Sequence, residues 1–120
     1  MLDANALILL LAGNERLVGR AETCEVGELC LSAISFAEVA HGSALGKEPQ
    51  PEVLCRVQER IPVLPFGQEA ASAYAGLPFK RHRFDRLIAA HALSLGLTLV
   101  TANVRDYRDI PGLDVEDWTQ

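Results

Sequence analysis

Four acidic side chains, Asp3, Glu38, Asp85 and Asp106, stand far apart in the chain, yet each falls beside a run of apolar residues. Carboxylates brought together from such distances repel one another and hold their protons more tightly. A hard divalent cation removes that cost, and Mg²⁺ takes a few carboxylates and completes its shell with water and phosphate oxygens. A cation so held can activate water and stabilise charge on a phosphoryl group undergoing in-line displacement. The four acids are therefore candidates for one metal-holding catalytic site. Each also has a plainer reading. Glu38 completes a capping box with Ser35, Asp85 and Asp3 cap helices, and Asp106 is a solvated loop acid.

The elements that would position these acids can be read from the apolar pattern. Met1-Leu2 predicts a very short strand ending at Asp3, followed by a short helix over residues 5–11. Residues 15–28 are polar and predict a helix and a turn. The alternating segment 29–34 predicts a strand, after which Ser35-Phe36-Ala37-Glu38 matches the S-x-x-E capping box and predicts a helix to about Leu45. A helix over 52–60, a strand over 62–66 and a helix over 69–74 follow. Asp85 then opens a helix that stops at Gly96, with the glycine in the left-handed C′ position. Residues 97–101 predict a buried strand and 115–118 an edge strand. Strands alternating with helices imply an α/β fold, a mainly parallel sheet covered on both faces. Ligands of such sheets bind beyond the carboxyl ends of the strands; Asp3, Glu38 and Asp106 follow strands, Asp85 starts the helix before the last buried one, and parallel geometry can bring all four to one edge.

Length and composition set bounds on this reading. The 120 residues fit one domain, taken as 1–120, and 49% hydrophobic content suffices for a core. Three cysteines, Cys24, Cys30 and Cys55, with no CxxC pair argue against a disulfide framework and a structural zinc site. The run Ala6–Ala12 is too short to span a membrane, and no basic leader precedes it, so the expectation is a soluble cytoplasmic protein.

The net charge of −5 disfavours a nucleic-acid partner at first sight. The charge is uneven, however. Residues 1–60 hold 5 basic and 9 acidic side chains, a balance of −4; residues 61–120 hold 6 and 7, a balance of −1. Lys80, Arg81, His82, Arg83 and Arg86 cluster in the second half. Of these, Lys80, Arg81, Arg83 and Arg86 are candidates for binding a nucleic-acid phosphate backbone, against the alternative of a solvated loop. Thr101, at a strand end, is a candidate hydroxyl near the acids, against the alternative of a satisfied buried hydroxyl. His91 lies six residues after Asp85, about 600° around the helix, so it does not share that acid's face and reads as structural. Tyr107 and Trp118 read as packing residues.

Several segments, in order, resemble the PIN-domain ribonucleases, in particular the VapC-type toxins of bacterial toxin–antitoxin modules. Leu2-Asp3-Ala4-Asn5 is similar to the family's opening L-D-T-N, with Ala4 in place of Thr. Residues 34–42 are similar to I-S-x-x-E-x-x-x-G. The stretch 84–93, Phe-Asp-Arg-Leu-Ile-Ala-Ala-His-Ala-Leu, carries the most distinctive likeness. Residues 99–107 resemble L-V-T-x-N-x-R-D-F, with Tyr107 at the final position, and Ile110-Pro111-Gly112-Leu113 and Trp118 are similar to the usual ending. The resemblance implies a PIN-like three-layer sandwich and metal-dependent hydrolysis of RNA with Mg²⁺, or Mn²⁺ in its place. It implies Asp3 and Asp85 as principal metal ligands, Glu38 as the third acid, and Asn5, Thr101 and Asn103 as supporting polar groups. The fourth position is open between Asp106 and Asn103, which would orient a metal-bound water instead. The implied partners are a small VapB-type antitoxin and a second copy of the chain, with no membrane. Two alternatives stand beside it. A receiver-like Mg²⁺-binding signalling domain would want paired acids after the first strand and a mid-chain phosphoacceptor, whereas no Asp lies between positions 4 and 84. A metal-dependent DNA nuclease would use the same acids, because none of these residues reads a 2′-hydroxyl.

Overall fold

A computed structural model describes residues 1–81 and 83–120; His82, a member of the basic stretch, lies outside the described residues. The centre of the sheet is Leu2, which bridges Leu31 on one side and Val100 on the other, both in parallel. β1 (Leu31–Ser32) pairs outward with β2 (Val63–Leu64), Leu31 opposite Val63. β3 (Leu99–Val100) pairs with β4 (Val115–Glu116), Leu99 opposite Val115. The order is thus β2, β1, Leu2, β3, β4, with every pairing among the described residues parallel.

Six helices among the described residues connect these segments: α1 (Ala4–Leu11), α2 (Glu15–Glu22), α3 (Ala33–Ala44), α4 (Pro51–Val57), α5 (Gln68–Ala75) and α6 (Arg83–Leu95). Successive strand side chains point to opposite faces, which divides the core in two. Leu2, Leu31, Val63 and Val100 pack with Ala6, Leu7, Leu17, Val39 and Leu54 from α1 to α4. Met1, Cys30, Leu64 and Leu99 pack on the other face with Ile88, Ala89 and Ala92 of α6, whose outer side carries α5. The three-layer α/β sandwich expected from the sequence is therefore the observed one. No helix among the described residues is long and apolar enough to cross a membrane.

Among the boundaries that differ from the sequence expectation, two move an acid. The helix expected to open at Ser35 begins at Ala33, with Ser32 as its N-cap: the Ser32 hydroxyl oxygen accepts from the Ile34 amide at 3.1 Å. Ser35 is an interior helical residue whose hydroxyl donates to the Leu2 carbonyl at 3.3 Å, so the Ser35–Glu38 capping box does not form. α6 begins two residues before Asp85, at Arg83, which makes Asp85 a first-turn residue rather than the opening cap. The expected C-terminus holds. Gly96 has φ +66, its amide donates to the Leu93 carbonyl at 3.2 Å and the Leu97 amide to Ala92 at 2.9 Å, the paired bonds of a Schellman ending.

Ser32 also ties the layers together. His91 is buried, and its Nδ1 lies 2.8 Å from the Ser32 oxygen. The ring also contacts the Pro65 backbone, where proline offers only a carbonyl, so there the ring must donate. Ser32 accepts from Ile34 and is thus free to give its proton to Nδ1. Burial holds this imidazole below its usual range, and it is a neutral structural histidine as expected. Ser32→Ala removes a cap worth about 1 kcal/mol and leaves a buried ring nitrogen unsatisfied, a further cost of at least about 1 kcal/mol. Urea unfolding of this variant should show the sum, about 2 kcal/mol or more; a midpoint equal to wild type would refute the dual role.

Candidate functional site

Asp3, Ser32 and Thr101 each directly follow or end one of the three central segments, so parallel pairing sets them side by side at the carboxyl edge of the sheet. Asp3 is the most deeply set acid, only 4% exposed. Its amide donates to the Val100 carbonyl at 3.0 Å, and its Oδ1 caps α1 by accepting from the Ala6 amide at 2.8 Å. Its Oδ2 accepts from the Tyr107 hydroxyl at 3.3 Å, and the Thr101 hydroxyl also hydrogen-bonds to the carboxylate. Burial nevertheless outweighs these bonds and raises the Asp3 pKa above its ordinary value, with the Asp106 charge adding a small push.

Glu38 stands one turn beyond Ser35 on α3, and residues three apart share a helix face. Because Ser35 touches the Leu2 carbonyl, that face is the one turned to the sheet edge. The Glu38 pKa is raised by burial first, then by the charges of Asp85 and Asp3. Among the described residues, its Oε1 is buried without a hydrogen-bond partner. Asp85 shares the inward stripe of α6 with Ile88, Ala89 and Ala92, which anchors it over the same edge. Asp106 lies on the exposed side of a 3-10 turn (Val104–Tyr107); its field reaches Asp3 and Tyr107. Asn103, the alternative for the fourth place, is exposed, and its amide donates to the Thr101 hydroxyl oxygen at 3.0 Å.

The sheet edge thus places Glu38 within electrostatic reach of both Asp3 and Asp85, with Asp106 at the margin beside Asp3. Among the described residues, no three His, Cys, Asp or Glu side chains stand close enough together to hold a metal ion by themselves. The donors are all oxygens, two are partly or fully desolvated with raised proton affinity, and one buried oxygen has no partner. That set fits a Mg²⁺-like ion, which is held by one or two carboxylates and keeps water and phosphate in the remaining positions.

A cleft of about 510 Å³ opens beside two of these acids, lined by Asn5, Glu38, Arg81, Arg83, Phe84 and Asp85. A cleft of about 530 Å³ between α5 and α6 is of similar size, but Glu69 is the only charged group in its lining, so the chemistry favours the first. The four basic candidates separate. Arg81 and Arg83 are exposed at the cleft. Lys80 reaches Asp109 at 3.4 Å. Arg86 is a correction: it is 2% exposed, and its guanidinium donates to Asp109 at 2.7 Å and to the Asp106 carbonyl at 3.1 Å, so it faces the interior rather than a polyanion. Tyr107, read from the sequence as packing alone, is buried and also brings its hydroxyl to Asp3. Trp118 packs in the core and also donates to Glu116 at 2.9 Å, with Arg20 stacked 4.7 Å from its ring centre.

The family model of the PIN domain matches residues 1–113. The tRNA(fMet)-specific endonuclease VapC of Shigella flexneri is 30% identical over 128 aligned positions, covering 99% of this chain and 97% of that protein. Among solved structures, VapBC-1 from nontypeable Haemophilus influenzae superposes with a TM-score of 0.80 at 30% identity, over 100% of this chain and 98% of that one. DNA-bound VapBC from Salmonella typhimurium gives 0.78 at 32% identity, over 98% and 96%.

Proposed function

The chain belongs to the PIN-domain family, and we propose that it is a Mg²⁺-dependent endoribonuclease, the toxin of a toxin–antitoxin pair. On this reading residues 1–120 form a single cytoplasmic PIN domain, active as a homodimer or in a hetero-oligomer with a VapB-type antitoxin. The observation that carries the reading is the unbalanced charge at the sheet edge: Asp3 and Glu38 have raised pKa values, and among the described residues Glu38 Oε1 is buried and unpartnered. Relatives named as VapC endonucleases and structures of VapBC complexes support RNA as substrate and an antitoxin as partner. The receiver-like alternative falls with the family match.

Asp3 and Asp85 would hold the cation, with Glu38 as third acid and Asp106 at the margin. When bound, the ion would neutralise the carboxylates, activate water and stabilise charge on the scissile phosphate. The chain's own residues do the rest. Hydrogen bonds from Ala6, Thr101 and Tyr107 fix the Asp3 carboxylate in one orientation. Arg81 and Arg83 line the same cleft as Glu38 and Asp85, where they can hold phosphates flanking the cut. Asn5, exposed in the same lining, offers an amide to the substrate or to ordered water.

The test of the reading is incubation of the purified chain with total RNA, and with DNA of matched sequence, followed by mapping of fragment ends. Cleavage of RNA alone supports it; cleavage of DNA alone transfers the chemistry to the DNA-nuclease alternative. The basic lip gives a narrower prediction. Arg81→Ala and Arg83→Ala should each weaken RNA binding and flatten its salt dependence by about one unit of slope. Lys80→Ala, already paired with Asp109, should change the slope less. Equal slopes for wild type and both arginine variants would return the lip to a solvated loop.

A further inference from the structure

We infer that Tyr107 is a positioning residue for Asp3, holding that carboxylate in the one orientation from which it can ligate a divalent cation. The inference rests on the reading of the acids as a cation site. Tyr107 stands where the resembled segment ends in phenylalanine, so its hydroxyl is an additional polar atom on an otherwise apolar packing ring. The ring is buried with Ile88, Ala89, Leu99 and Ile110, which fixes where the hydroxyl points. It points at Asp3 Oδ2, 3.3 Å away.

The other Asp3 oxygen is already committed to the Ala6 amide. With Oδ2 held as well, rotation of the carboxylate about its own axis is blocked from both sides. With Thr101 the carboxylate accepts three hydrogen bonds, which leaves one of its roughly four lone-pair sites open, so the bonds orient the group without exhausting its capacity as a ligand. The support extends one residue further. The Tyr107 backbone belongs to the Val104–Tyr107 turn, and Arg86 fixes that turn by donating to the Asp106 carbonyl at 3.1 Å. A buried guanidinium, a turn, a rigid phenol and a carboxylate thus form one connected support. Partners of this kind, one bond removed from a metal ligand, commonly change metal affinity by 10–100-fold.

Tyr107→Phe removes one atom and keeps the ring, so the fold has every reason to persist, and circular dichroism and thermal melts verify that it does. The probe is Mn²⁺ alone, titrated into the full chain and followed by the electron paramagnetic resonance signal of the free ion. Wild type should bind, Asp85→Asn should bind poorly, and Tyr107→Phe should bind about tenfold more weakly than wild type. RNA cleavage by Tyr107→Phe should need correspondingly more metal for half-maximal rate, with the rate at saturating metal within a few-fold of wild type. Tyr107→Leu, which also lacks the hydroxyl, should share the weakened binding if it folds. Wild-type binding with equal or tighter binding by Tyr107→Phe would overturn the inference and leave the nuclease reading intact. No binding by wild type would remove the cation site itself, and the inference with it.

Discussion

Asp85→Asn, Asp3→Asn and Glu38→Gln should each abolish RNA cleavage while leaving the protein folded, with a melting temperature equal to or above that of wild type. Loss of an outer partner of a metal ligand already costs 10–100-fold, so loss of the ligand itself should cost more than about 100-fold. The stability gain follows from the direction of the pKa shifts. Asp3 and Glu38 have folded-state pKa values above their ordinary ones, with burial as the first cause. Such groups favour the folded state when protonated, and that contribution is lost as pH rises from the ordinary carboxylate range through the raised value. At neutral pH the ionised pair is a liability that an amide does not carry. Asn at position 3 also retains an oxygen to cap α1, so Asp3→Asn separates charge from capping, whereas Asp3→Ala loses both. Thermal melts at pH 5 and pH 7.5 in metal-free buffer provide the measurement. Wild type should lose stability between these values relative to the Asp3→Asn, Glu38→Gln double variant. A wild-type cleavage rate in Asp85→Asn would break the site assignment.

Arg86→Ala should be strongly destabilising for a change outside the apolar core, at about 2 kcal/mol in urea unfolding. The side chain is buried, its stem fills volume between α6 and the Val104–Tyr107 turn, and it satisfies the Asp106 carbonyl. Its pair with Asp109 is open to water on the carboxylate side and adds little. Both contacts run through the single Nη2 nitrogen, and Arg86→Lys, which keeps a charged nitrogen but fills less of the buried volume, should recover only part of the loss. Arg83→Ala, exposed three residues earlier, should be close to neutral for stability. If Arg86→Ala and Arg83→Ala unfold at the same urea concentration, Arg86 is not the anchor of the turn.

The parts legible in the sequence are those written in local pattern. Apolar runs located every paired segment, because a parallel sheet buried on both faces needs them. Their lengths were overread: residues 29–34 look extended, but the ladder with β2 occupies only Leu31–Ser32 before Ser32 caps α3. Two serines three residues apart offer the same capping chemistry, and pairing with Val63–Leu64, a tertiary fact, selects the first. The acids were legible as helix-start and strand-end residues, and the resemblance ordered them. Two groups supporting them were not. Tyr107 meets Asp3 across 104 residues, and Arg86 meets the Asp106 carbonyl across 20, and nothing in the flanking residues encodes either contact. Arg86 was hidden by company: inside a run of basic residues it read as surface charge, although it stands one position from the buried stripe of α6.

The central claim is that carboxylates at the carboxyl edge of this sheet cut RNA by holding a divalent cation. Its most direct test is one reaction followed through metal withdrawal and return. Purified chain, stripped with EDTA and dialysed into metal-free buffer, should leave RNA intact; added Mg²⁺ should restore cleavage in wild type and not in Asp85→Asn. Full cleavage by the stripped wild type, or Mg²⁺-restored cleavage by Asp85→Asn at the wild-type rate, would contradict the account.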